Sequence, residues 1–332
     1  MKVADMHCDT IAEIYAKRQA GEECGILKNN LHIDLEKMER GDYAVQNFAV
    51  FAHMENLKGK MPLPEYALRL IDTFFTELRR YPDRIGIVRS FRDIEKNMAE
   101  GRMSALLTME EGAICQGKLE YLRIFYELGV RMFTFTWNFP NELAYPNRYE
   151  YLGPGQDSFV PETEKGLTEK GFEFLEEMER LGMIIDISHL NDAGIWDVFR
   201  HTKKPFVASH SNARAVCPSL RNLTDDQIRR LAERGGCMGL NYYDKFLVDG
   251  GSKDPEVLWE ALIRQARHIT DVGGMEILGL GSDFDGIPIN PALPGAEAMP
   301  VLWDRLKTAG FTENQLDGIF WGNVMQVYRD AL

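Results

Sequence analysis

The sequence has no apolar run long enough to cross a membrane, no glycine-rich nucleotide fingerprint, no internal repeat and no low-complexity tract. Cysteine is scarce. Cys8, Cys24, Cys115, Cys217 and Cys237 are odd in number, scattered and never spaced as Cys-x-x-Cys. That excludes a disulfide framework and points to a reduced, cytoplasmic protein with small buried thiols. No secretory signal is expected ahead of the first strand, since structure is predicted to begin at residue 2. Positive charge is in deficit: 38 Lys and Arg face 51 Asp and Glu, for a net charge of −13. This argues against nucleic acid and anionic membranes as partners. It leaves room for a single Arg or Lys that binds a small anion. Histidine is sparse too, with 7 in 332 residues, so the places where the seven fall carry information.

What the chain does have is 45% hydrophobic residues, ample for a core, arranged as strand-then-helix units. Strands are predicted over Val3–His7, Ala44–Phe51, Met103–Met109, Arg131–Thr136, Met183–Ile187, Pro205–Ser209, Cys237–Leu240 and Ile277–Leu280. Helical periodicity marks Pro64–Arg80, Leu119–Leu128, Thr168–Leu181, Asp192–His201, Thr224–Arg234 and Pro255–Val272. Thr168 is a plausible cap, and Gly129 and Gly182 are placed as stops. The stretch Trp137–Pro161 lacks periodicity and reads as a long functional loop. From Pro300 onward the chain reads as further helices. Eight strands alternating with helices predict an α/β fold, a (β/α)8 barrel over residues 1–332 as a single domain. A doubly wound sheet is the alternative.

On such a barrel the unusual polar residues fall in one pattern. His7 and Asp9 end strand one, in Asp-Met-His-Cys-Asp. Alternate residues share a strand face, so the pair can converge while Cys8 points away to pack. Glu110 ends strand three, His189 strand five, His210 strand six and Asp283 strand eight. All lie at carboxyl ends, where barrel enzymes place their chemistry. Three imidazoles and three carboxylates on one centre are costly unless metal or protons neutralise them. Two divalent ions bridged by a carboxylate would do so. His32, His53, His201 and His268 read as structural. Glu111 adjoins Glu110, and only one of the two can face inward, so Glu111 is assigned as a solvated or hydrogen-bonding neighbour.

These residues, in this order, resemble the membrane dipeptidase (renal dipeptidase) family of zinc peptidases, family M19 of the amidohydrolase superfamily. The matching stretches are residues 5–9, 106–110, 187–189, 209–211, 217–222 and 281–286, and Asn323 near the end fits as well. The resemblance spans essentially the whole chain. It implies a distorted (β/α)8 TIM barrel with extra C-terminal helices and two Zn2+ ions. His7 and Asp9 would hold one ion, His189 and His210 the other, with Glu110 bridging. Asp283 would be the acid–base residue. Arg221 would bind the substrate's terminal carboxylate, although Arg214 is an equally basic rival by residue type. The implied reaction is hydrolysis of small dipeptides by a metal-bridged hydroxide, commonly tolerating a D-residue at the C-terminal position. Homodimerisation is a family expectation. One departure stands out: Trp137 occupies a position where well-known mammalian members have a substrate-contacting His. Its indole is either an aromatic lid packed on the loop that follows or a substrate-binding wall that alters specificity. The rival readings are another amidohydrolase acting on a small amide, lactone or ester, and a catalytically silent metal-binding barrel.

Overall fold

The computed structural model describes residues 1–150 and 158–332. Its strands are β1 (Val3–Asp5), β2 (Tyr43–Phe51), β3 (Ile85–Val88), β4 (Met103–Glu110), β5 (Val130–Thr134), β6 (Arg148–Glu150), β7 (Ser158–Val160), β8 (Ile184–Asp186), β9 (Val207–Ala208), β10 (Cys237–Leu240) and β11 (Leu278–Leu280). Eight of them close a parallel barrel in the order β1, β2, β4, β5, β8, β9, β10, β11 and back to β1. The predicted TIM barrel is thus the fold. β3 is a ninth strand, paired to the first half of β4 while β5 takes the second half. Register shifts at Val3/Ala4 and at Leu107/Thr108 mark the distortion.

Side-chain alternation sorts the strands into two cores. Leu106, Met132, Ile184, Val207 and Cys237 share one apolar cluster with Val324, Val327 and Tyr328 of the last helix, Asn323–Ala331. Their neighbours Leu107, Phe133, Ile185, Ala208 and Met238 belong to the cluster under the outer helices. The predicted C-terminal helices therefore have a definite task. The last one seals one end of the barrel interior, where the Tyr328 hydroxyl donates to Asn47 Oδ1 at 2.9 Å. Further along β4 the inward positions turn polar, from Leu106 through Thr108 to Glu110, and the barrel opens at the carboxyl ends of the strands.

Two differences from the sequence reading have physical causes. β1, β8 and β9 stop one to two residues short of their predicted carboxyl ends. There, buried carboxylates capture the N–H groups that would extend the ladder. Asp5 Oδ1 accepts from the amides of His7 (3.3 Å) and Ser282 (2.9 Å), and Asp186 Oδ1 from those of Ser188 (3.0 Å) and Ser209 (2.9 Å). Second, the predicted loop from Trp137 carries the hairpin β6–β7, while residues 151–157 of it lie outside the described residues. The helices that were predicted form where they were read, while Thr10–Gln19 and Phe91–Ala99 are additional. Thr168 accepts from Gly171 N–H as a cap, and Gly129 and Gly182 end their helices with φ of +113° and +75°. No described helix is long and apolar enough to cross a membrane.

Candidate metal centre and substrate cavity

The residues read from the strand ends meet. His7, Asp9, Glu110, His189, His210 and Asp283 are all buried around one point at the barrel mouth. Glu110 stands in the middle. Its Oε2 is 3.3 Å from His7 Nε2, and its Oε1 is 2.9 Å from His189 Nε2 and 3.7 Å from His210 Nε2. Asp9 Oδ2 and Asp283 Oδ1 lie 3.8 and 3.9 Å from His7 Nε2. The compact ligand groups are His7–Glu110–His210 and His7–Asp9–Asp283, which share His7.

The groups that hydrogen-bond the imidazoles from behind decide which ring nitrogens are free. Asp186 Oδ2 accepts from Ser209 Oγ at 2.5 Å, and Ser209 Oγ accepts from His210 Nδ1 at 2.7 Å. Asn138 Oδ1, a pure acceptor, lies 3.0 Å from His189 Nδ1. Both imidazoles thus hold their proton on Nδ1 and turn an Nε2 lone pair inward, as metal-ligating histidines do. Burial, with the Arg221 charge next in size, pushes His189 down to about 4. Burial, with the His7 charge next, holds His210 well below its ordinary range. Both are therefore neutral near pH 7, and their Nε2 atoms face one another at 3.0 Å. Two lone pairs at that distance repel unless a cation lies between or beside them. Buried His7 Nε2 and Asp9 Oδ1 are also left without hydrogen-bond partners. The donor set fits divalent metal.

The acids show the same shortage of positive charge. Burial and the nearby Glu110 charge push Asp9 up to about 7. Burial lifts Asp283 to about 6; His7 opposes the rise and Glu110 adds to it. Burial alone would depress His7, but Glu110 and Asp9 outweigh it and hold the imidazole well above its usual range. Asp283 Oδ2 accepts from Asn241 Nδ2 at 3.0 Å, leaving Oδ1 turned to the centre. His189 and Asp283 sit at φ of +70° and +61°, a strained conformation for residues with side chains and one that recurs at functional sites.

A cavity of about 710 Å³ opens over this centre. Arg221 lines it, buried, with Nε and Nη2 lacking partners and the guanidinium 5.4 Å from the Phe246 ring. Burial pushes it down to about 10, still a cation at neutral pH. Its rival Arg214 is committed elsewhere, in a two-pronged pair with Asp192 at 2.8 and 2.7 Å. Trp137 lines the cavity too, its ring 6.3 Å from that of His189.

Of the remaining histidines, His32 accepts the Asp285 amide at 2.8 Å, His201 donates to Asp197 O and packs at a tilt against Phe172, and His268 pairs with Asp225. His53 accepts the Asn56 amide as a helix cap, yet its ring lies 4.7 Å from Trp137 at the cavity wall. Sequence reasoning gave no role to Asp5, Asp186, Asn138 or Asn241. The alternation that picked out His7 and Asp9 extends back to Asp5, and Asp186 stands in the same spacing to Ser188. Glu111 is fully buried rather than solvated, and accepts from Ala113 N, Asn141 Nδ2 and Trp137 N.

The sequence profile of the membrane dipeptidase family, peptidase family M19, matches residues 1–332. An uncharacterised protein from the pqqA 5′ region of Klebsiella pneumoniae is 34% identical over 75% of this chain and 89% of its own. An uncharacterised dipeptidase of Schizosaccharomyces pombe is 31% identical over 90% of this chain and 72% of its own. The crystal structure of a metallopeptidase from Rhodobacter sphaeroides, liganded with a phosphinate mimic of L-Ala-D-Ala, superposes with a TM-score of 0.87. It is 28% identical and covers 100% of this chain and 99% of that one. Membership carries metal dependence and dipeptide hydrolysis with it. This chain belongs to the membrane dipeptidase family and is an M19 metallo-dipeptidase.

Proposed function

We propose that this chain is a binuclear zinc dipeptidase in which His7, Asp9, Glu110, His189 and His210 hold two ions and Glu110 bridges them. The observation that carries the reading is Glu110, which turns one carboxylate oxygen toward His7 and the other toward His189 and His210. Ions bound there would polarise a carbonyl and lower the pKa of a coordinated water. Asp283 supplies the proton traffic. Raised to about 6 by burial, its carboxylate can accept a proton at Oδ1 from the attacking water and hand it to the departing amine. Arg221 offers unpaired N–H groups in a planar fork, suited to the substrate's terminal carboxylate. The compact group His7–Asp9–Asp283 favours one variation, in which Asp283 is itself a ligand.

A D-residue at the C-terminal position fits the same proposal, because the similar Rhodobacter sphaeroides enzyme accommodates the mimic of L-Ala-D-Ala. Five unpaired cysteines support a reducing, cytoplasmic setting. Metal analysis of the purified protein, followed by hydrolysis of L,L-, L,D- and N-acylated dipeptides and of C-terminally amidated dipeptides with zinc present, is the test. Two zinc ions per chain and cleavage that requires a free C-terminal carboxylate are expected. Equal cleavage of substrates lacking that carboxylate would overturn the assignment of Arg221.

A further inference from the structure

Side-chain character is sorted by sector around the barrel mouth. The loops after β9 and β10 bring Arg221 and Lys245 to the cavity, while β11 and β1 lead to Asp283, Asp9 and, on the next helical turn, Glu13. The sector of β2, β5 and the β6–β7 hairpin is aromatic. Phe51, Trp137, Tyr149 and Phe159 all line the cavity there. Their rings run in a row, with centroids 5.2, 6.3 and 5.7 Å apart. His53 and Phe139 stand behind, 4.7 and 5.7 Å from Trp137. The four front rings are only partly buried, whereas core rings such as Phe133 and Phe135 are shut away completely. Rings that merely fastened the hairpin to the barrel would not need to present a face to the cavity.

We propose that this aromatic row receives the side chain of the substrate's N-terminal residue, which makes the enzyme selective for dipeptides that begin with a large apolar or aromatic residue. The proposal rests on the dipeptidase reading and on Arg221 taking the α-carboxylate. β2 stands four places from β9 in a closed ring of eight, so Phe51 and the loop bearing Arg221 face each other across the mouth. A dipeptide anchored by its carboxylate at Arg221, with its amide over the Glu110 cluster, extends its first residue toward the β2 side. Among the described residues that row carries no charged side chain, and the planar rings offer large contact area to an apolar group. A cavity of about 710 Å³ is in the range that encloses small ligands of this size. Each methylene gained in such a pocket is worth roughly tenfold or more in discrimination.

The experiment compares the series X-Ala and Ala-X, with X as Gly, Ala, Leu or Phe, on the metal-loaded full chain. Phe-Ala should exceed Ala-Ala in kcat/KM by at least about tenfold, while Ala-Phe gains little. In Tyr149→Ala and Phe159→Ala the ratio of Phe-Ala to Ala-Ala, taken within each protein, should fall at least threefold, roughly one lost ring contact. Tyr149→Phe should restore it. A flat X-Ala series, a preference confined to Ala-X, or an unchanged ratio in both alanine variants overturns the subsite and leaves the dipeptidase reading standing. If no dipeptide is cleaved, the dipeptidase reading falls instead. Calorimetry then decides the subsite: tighter binding of Phe-Ala than Ala-Ala, lost in Tyr149→Ala, supports it, and equal binding overturns it.

Discussion

Glu110 concentrates the chemistry of the site in one side chain. A neutral amide cannot offset the charge of two dications, so Glu110→Gln should lose both bound metal and turnover. Wild-type metal content and rate in that variant would remove Glu110 from the centre. The same change at Glu111 should be milder for metal but not silent, because Glu111 holds the Trp137 and Ala113 amides from a fully buried position. Asp283→Asn should keep metal while turnover drops about a hundredfold or more; if metal leaves with the carboxylate, Asp283 is a ligand and not a proton carrier. Arg221→Met should raise KM for free dipeptides roughly ten- to a hundredfold, the worth of a charge-assisted pair in a buried setting. An unchanged KM would assign the carboxylate to another group. Glu110 and Asp283 were legible in the sequence because each is a polar residue in an apolar context at a strand end, whereas Arg221 lies in a loop and was separated from Arg214 by the family resemblance alone. Asn138 and Asn241, which orient His189 and Asp283, were not legible, since an asparagine in a loop carries no such contrast and its partner lies 51 or 42 residues away.

The strand ends form a working element because their backbones come unusually close. Gly239 of β10 and Gly281 just beyond β11 both face the Ser209 carbonyl; a Cβ at Gly281 would lie 1.8 Å from that oxygen and one at Gly239 2.0 Å from it. Ser209 is the residue that anchors the His210 ring, so crowding here displaces a histidine of the cluster. Gly281→Ala should therefore cost about 3 kcal/mol or more, as backbone overpacking does, with a fall of several degrees in Tm. An unaltered Tm and metal content would mean that the seam is looser than its spacing indicates. The same seam shows why the elements were readable and their ends were not. Apolar runs such as Cys237–Leu240 declare a strand, yet a side-chain carboxylate that intercepts a ladder N–H, as Asp186 does for Ser209, leaves no local mark. Ile85–Val88 was missed because its four residues sit between a helix and a turn and pair only with half of β4. The helix Thr10–Gln19 was missed because its start is set by the site itself: Thr10 Oγ1 donates to Asp285 Oδ2, 275 residues away.

At the scale of the whole molecule, the centre links stability to metal and to pH. Without metal, His7 is held protonated well above its usual range, and Asp9 and Asp283 are raised to about 7 and about 6. For the two acids the folded state binds more protons than the unfolded chain between the ordinary carboxylate range and those values. Their contribution to stability is therefore present at low pH and fades as pH rises toward 7. Neutral His189 and His210 and the depressed Glu110 act in the opposite sense, since the unfolded chain gains their protons as pH falls. These signs oppose one another only below the ordinary histidine range; above it His7, held protonated, and Asp9 remain, and the metal-free protein loses stability as pH rises. Metal acts in the other direction. Ligands must shed their protons to bind it, so affinity strengthens as pH climbs through 6 and 7, and stabilisation follows the ratio of metal concentration to Kd. The gap in Tm between zinc-loaded and chelator-treated protein should thus be small at pH 5.5 and widen steadily to pH 8. Thermal unfolding at a fixed excess of zinc measures it directly. In Asp9→Asn the widening should be reduced, because one of the protons that competes with metal is gone along with a ligand. A gap that stayed constant across this range in the wild type would show that protons and metal do not compete for these residues, and would place the metal somewhere other than the cluster at the barrel mouth.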